Sequence, residues 1–235
     1  HIDLDVREAT FSGQFSSSQF SLSSEADLAS RFVELEGARY LVGNDLAYSA
    51  KIFVDMDQRR YEMEEVEMEV ADNVFRVEGA VEERDDGTYF DLTAGKEDGD
   101  IGGILALLPA QYMEKLGGFR STGDMRFQST IQGLYNKKEN PEIQVELTLE
   151  DGQITAPQLN SPLKDVALTV KFDNGRFHNN ASSTLEISNL KGYFNRELLE
   201  LQLRVENFDN PLIDFRFDGA VPMEAIYGFF GNPLI

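Results

Sequence analysis

Residues 141–152 read PEIQVELTLEDG: Ile143, Val145, Leu147 and Leu149 alternate with Gln144, Glu146, Thr148 and Glu150, and an acidic-Gly turn follows. A period of two sends every aliphatic side chain to one face of a strand and every polar one to the other. The same pattern recurs along most of the chain. Such a sequence builds a sheet with one apolar face, and what that face touches decides what the protein does.

The alternation can be followed strand by strand. Leu46, Tyr48, Ala50, Ile52, Val54 and Met56 share one phase, and the strand ends at residues 57–60. In residues 62–70 the apolar parity changes between Met63 and Val66, which predicts a bulge or break there. Phe75, Val77, Gly79 and Val81 form the next strand, closed by the turn signal Asp85-Asp86-Gly87, with Phe90 and Leu92 beyond it. Val166, Leu168, Val170 and Phe172 alternate up to a second hairpin signal, Asp173-Asn174-Gly175. Leu185 and Ile187 follow, then Leu199, Leu201, Leu203 and Val205, and then Ile213, Phe215 and Phe217. Regularly spaced strands of this kind predict an all-β fold: an elongated, curled antiparallel sheet, arranged as a groove, half-barrel or sandwich.

Two segments have helical character. Residues 102–118 place Ile104, Leu108, Tyr112 and Leu116 on one stripe before Gly117-Gly118, although Pro109 interrupts the middle. Residues 222–230 (PMEAIYGFF) are short and aromatic, with Pro222 suited to a first helical position. These helices expose an internal repeat. Residues 88–108 and 210–230 each run strand, acidic-Gly turn, apolar helix, and each follows alternating strands. The chain is therefore expected to comprise two related units, 1–118 and 119–235, within one continuous β structure.

Charge narrows the function classes. Asp and Glu number 42 against 21 Lys and Arg, a net charge of -21. A polyanion of that size repels nucleic-acid phosphates, so no nucleic-acid partner is expected. The acidic residues are interleaved with Ile, Val, Leu and Phe, which argues for folded surface rather than a disordered tail. With zero cysteines the chain has neither disulfides nor thiolate metal sites. No apolar run reaches the roughly 18 residues of a membrane span. The first residues, HIDLDV, begin inside a strand-like pattern without an initiator Met, so the chain reads as a piece of a longer protein.

The sequence carries no recognisable catalytic constellation. The two histidines are His1, which is terminal, and His178, in the Asn/Ser-rich stretch HNNASS, where a solvated loop residue is the plainer reading. Carboxylate pairs occur at Asp55/Asp57, Glu64/Glu65, Asp85/Asp86 and Asp98/Asp100, but an acidic chain produces such pairs by chance. Glu97-Asp98-Gly99-Asp100 lacks the spaced ligands of a calcium loop. No metal, cofactor or enzymatic activity is expected. A carbohydrate-binding module would stack sugars on exposed aromatics, yet Trp is absent and the Phe residues mostly take the inward phase.

From Leu107 onward, the segments LLPAQYMEKL (107–116), STGDMRFQSTIQGLY (121–135), PEIQVELTLEDGQITAPQLNSPLKDVALTVKFDNG (141–175) and LEISNLKGYFNRELLELQLRVENFDNPLIDFRFDG (185–219) follow one another. In this order they resemble the AsmA-like and TamB-like superfamily of Gram-negative cell-envelope proteins, in the version common in Bacteroidetes-type bacteria. The first hundred residues match in style only. The resemblance implies a periplasmic protein anchored in the inner membrane by an N-terminal helix. It also implies a role in outer-membrane biogenesis, moving phospholipids along an elongated β groove, and it brings no catalytic residues.

The inward-facing set expected to line the lipid surface or the core is Ile143, Val145, Leu147, Leu149, Val166, Leu168, Val170, Leu201, Leu203, Phe215 and Phe217. Three functions fit. In the first, the apolar face holds or conducts phospholipid acyl chains between the membranes. In the second, the chain is a structural segment with a closed dry core whose sheet edges pair with neighbouring repeats of the full-length protein or with other envelope proteins. The third is a carbohydrate-binding or hydrolytic module.

Overall fold

Alternation on this scale makes nearly the whole chain extended. The computed structural model describes residues 1–35, 38–70, 73–97, 101–105, 107–108, 110, 118–157 and 159–220. Its strands are β1 (Ile2–Gly13), β2 (Gln19–Leu35), β3 (Ala38–Tyr40), β4 (Asp45–Asp55), β5 (Arg60–Val70), β6 (Asn73–Arg84) and β7 (Gly87–Glu97). After the helix α1 (Ile101–Leu105) come β8 (Arg120–Tyr135), β9 (Glu142–Thr155), β10 (Leu163–Asp173), β11 (Thr184–Phe194), β12 (Glu197–Glu206) and β13 (Leu212–Asp218). All belong to one 13-stranded sheet in the order β1-β2-β4-β5-β6-β7-β8-β9-β10-β11-β12-β13, with β3 paired to β2 off this path. Among the described residues every pairing is antiparallel, and β1 and β13 are the two ends of a sheet that does not close into a barrel. β7 pairs directly with β8, so pairing is unbroken across the 118/119 boundary. Of the helix expected over 102–118, α1 covers Ile101–Leu105, while residues 106, 109 and 111–117, like the helix expected over 222–230, lie outside the described residues.

The strands are longer than the turn signals predict, and the reason is local. The register shift expected in β5 does fall between Met63 and Val66. The acidic-Gly pair Asp151-Gly152, however, does not end a strand. Asp151 takes φ 48, and β9 continues to Thr155, with Gly152 opposite Val166 and Ile154 opposite Leu163. A short polar side chain tolerates the left-handed region, so an acidic-Gly pair can make a bulge as readily as a turn. Register shifts fall beside Gly123 in β8, Asp165 in β10 and Asn189 in β11, all with positive φ. Each shift bends its strand and raises the local twist. A line of them across neighbouring strands curls this end of the sheet.

The core lies at that curled end. Val70, Phe75, Met125, Leu149, Val166, Phe194 and Leu199 are buried together, from strands as far apart as β5 and β12. Ile101 of α1 joins them, its N–H donating to Ser121 Oγ at 2.9 Å, while Ile104, Leu105 and Leu107 pack against the same cluster. Phe75 and Phe127 meet edge to face, with ring centroids 5.6 Å apart.

Ordered turns hold the opposite end of the strands. Asn174 is buried, donating from Nδ2 to the Pro141 carbonyl at 2.9 Å and accepting at Oδ1 from the Ile143 N–H at 2.9 Å. His178 is half-buried rather than simply solvated. Its Nδ1 lies 2.8 Å from the Asn140 carbonyl, and Asn140 Nδ2 donates back to the His178 carbonyl. Between β4 and β5, Asp55 accepts from the Gln58 N–H at 2.9 Å and Gln19 Nε2 at 2.8 Å, and these bonds hold its carboxyl below the usual aspartate range. A lowered folded-state pKa contributes stability above the unfolded value and loses it as pH falls through the folded value. The melting-temperature gap between wild type and Asp55→Asn is therefore expected to be widest near neutrality and to narrow as the solution is acidified through that range.

Candidate functional site

The register places all eleven expected lining residues on one face. Phe127, Leu147, Val170, Ile187, Leu203 and Phe215 stand opposite one another in turn from β8 to β13, an apolar row crossing six strands. A second row runs Val145, Phe172, Leu185, Val205 and Ile213. Met125, Leu149 and Leu168 make a third, and Leu190, Leu201 and Phe217 a fourth. Val166 faces Gly152 across the bulge. Ile143 belongs to a row that begins far away in the chain: Leu22, Ile52, Met63, Gly79, Leu92 and Ile131 precede it. At the usual strand spacing the apolar face extends roughly 50 Å across the sheet.

Burial separates these residues into three groups. Leu147, Leu149, Val166 and Leu168 are closed core packed in the cluster that α1 joins. Ile143, Val145, Val170, Leu201 and Leu203 are half-buried, as are Phe172, Leu185, Ile187 and Val205 in the same rows. Phe215 and Phe217 on β13 are 51% and 41% exposed. Alternation marks the face but not this gradient, which depends on where α1 and the bulges draw the sheet over itself. The row partners Phe127, Phe172, Leu185, Ile187 and Val205 complete the surface, and the recurring period in their own strands is the signal that marks them.

The other face is wet and charged. Glu146, Lys171, Glu186, Arg204 and Asp214 form one cross-strand row of alternating sign, with Lys171–Glu146 and Arg204–Glu186 ion pairs at 3.2 Å. These pairs are exposed and add little stability, but each disfavours a slipped register that would set like charges opposite. A depression of about 390 Å³ on this face is lined by Glu8, Glu25, Asp27, Glu67 and Glu69. Another, about 620 Å³, mixes Arg76 and Arg126 with Glu78 and Glu146.

The carboxylate pairs take separate roles. Asp55 is a turn residue, Glu64 pairs with Lys51 and Asp85 with Arg59, while residues 98–100 lie outside the described residues. Tyr193, 45% exposed, borders a depression that contains one carboxylate, Asp165, beside Lys164 and Arg196. Among the described residues no group of three or more His, Asp or Glu side chains could hold a metal ion, and no helix is long and apolar enough to cross a membrane. Compared with known proteins, the chain matches no family model, no curated protein and no solved structure.

Proposed function

We propose that this chain is a non-catalytic module that holds phospholipid acyl chains against the half-buried part of its apolar sheet face. The observation that carries the reading is the unbroken pair of apolar rows from β9 to β13, which leave the dry core and remain partly open. A methylene moved from water onto such a surface contributes up to about 0.8 kcal/mol, so a chain of many methylenes needs no charged anchor. The carboxylates of the opposite face keep the sheet hydrated while its apolar face is loaded. The resemblance of residues 107–235 to AsmA-like proteins adds the setting: a periplasmic segment of an inner-membrane-anchored protein, passing lipid towards the outer membrane. The buried cluster with α1 favours a structural role for that end of the sheet, so Leu147, Leu149, Val166 and Leu168 act as core while Val145, Val170, Leu201 and Leu203 act as lining.

Val145→Asp and Leu203→Asp place a carboxylate in the half-buried rows, Val145 beside the closed core and Leu203 away from it. Each is expected to weaken binding of a fluorescent acyl-chain probe by about tenfold or more, with the circular-dichroism spectrum retained. Thr148→Asp, on the polar face of the same strand as Val145, serves as the control with binding unchanged. Equal binding by all three variants would refute the assignment of this face.

A further inference from the structure

The two ends of the sheet are built differently. β1 carries two register shifts, between Asp3 and Leu4 and between Val6 and Glu8, and such bulges deter further strand pairing. β13 pairs with β12 in unbroken register, and among the described residues no strand pairs with its outer edge. It leaves Ile213 60%, Phe215 51% and Phe217 41% exposed on one face. On the other face Asp214 and Arg216 make a 3.9 Å contact with each other. A regular edge with exposed apolar residues is a template for one more strand.

The central residues of β13, IDFRF (213–217), are complementary to themselves when reversed. With two copies antiparallel about a two-fold axis at Phe215, Phe215 of each copy faces Phe215 of the other. Ile213 then faces Phe217, and Asp214 faces Arg216, twice each. Ile213, Phe215 and Phe217 of both copies fall on one face and both ion pairs on the other, which matches the sidedness of the whole sheet, while Leu212, 67% exposed, meets Asp218 at each end of the charged face and adds nothing to the pairing. We propose that the β13 edge is an interface between two copies of this chain, an isologous contact that joins two sheets into one continuous apolar face. The interface does not depend on what the apolar face binds.

Charge exchange tests the partner's identity. Sedimentation should show a concentration-dependent dimer for the wild type. Arg216→Asp sets Asp214 against a carboxylate twice and should weaken dimerisation by about tenfold or more. Asp214→Arg combined with Arg216→Asp restores both pairs with their signs exchanged, and should recover the dimer to within a few-fold. That rescue is specific to self-pairing, since a different strand would meet reversed charges. The chain has no cysteine, so a single Phe215→Cys can form a disulfide only between copies, and the facing positions lie within cross-strand reach. A disulfide-linked dimer of Phe215→Cys under mild oxidation is expected, together with the charge-swap rescue. A monomer at all concentrations, or a dimer insensitive to Arg216→Asp, would overturn the proposal. So would failure of the double exchange to rescue, which would assign the edge to another strand.

Discussion

Phe75→Ala is expected to lower folding stability by about 3–5 kcal/mol, read as a fall in the urea midpoint with an unchanged slope. Phe75 is 2% exposed at the centre of the cluster, edge to face with Phe127, and the Nζ of Lys96 lies 5.9 Å from its ring centroid. Truncation removes the transfer energy of a full ring and leaves a cavity that strands on several sides must line. The same change at Phe215, half exposed on the terminal strand, is expected to cost the monomer less than about 1 kcal/mol. The contrast separates burial from residue type. Two phenylalanines of the same inward phase would differ several-fold because only one lies in the closed core.

Gly79→Ala is the second large expected loss, about 3 kcal/mol or more. Gly79 stands between Met63 and Leu92 with φ +115, where an L side chain is strained, and an added Cβ would lie 2.0 Å from the Asp91 carbonyl oxygen. Neither the dihedral nor the backbone of β7 can move without breaking the β6–β7 register. Gly43→Ala supplies the comparison. Its φ is +70 but nothing lies within 4 Å of the added Cβ, so the expected loss is only the left-handed penalty of about 1–2 kcal/mol. Equilibrium unfolding of both variants checks the order, and a Gly79 variant as stable as the Gly43 variant would show that β6 and β7 are not as close as described.

The sheet was legible wherever its inward positions carry large side chains. β4, β6, β9, β10 and β12 follow from alternation, and the bulge in β5 follows from the parity change at Met63 and Val66. β2 escapes the same reading. Its 17 residues place Ser24, Ala26 and Ser30 inward, and these are too small or too polar to mark a face although all three are buried. Ser24 Oγ instead lies 2.9 Å from the Tyr48 hydroxyl, a partner supplied by β4. Turn chemistry was equally ambiguous. Asp85-Asp86-Gly87 closes a hairpin between β6 and β7, whereas Asp151-Gly152 bends a strand that goes on, because pairing to β8 and β10 on both sides outweighs the local preference.

For the candidate surface, periodicity groups the eleven residues as the register does, on one face, and is silent about depth. Leu149 and Phe217 look alike in sequence, yet one is 1% exposed and the other 41%. The difference comes from α1 and the row of bulges, which act through long-range packing. His178 shows the same limit in a loop, since its bond to Asn140 joins residues 38 positions apart.

Native mass spectrometry of the 235-residue chain purified from cells, with organic extraction of the same sample, asks whether the apolar face carries lipid. A species heavier than the polypeptide by the mass of one or more phospholipids is expected, lost in Val145→Asp and Leu203→Asp and kept in Thr148→Asp. Bare polypeptide throughout, with no acyl lipid in the extract, would contradict the lipid-holding role and leave the apolar face as core alone.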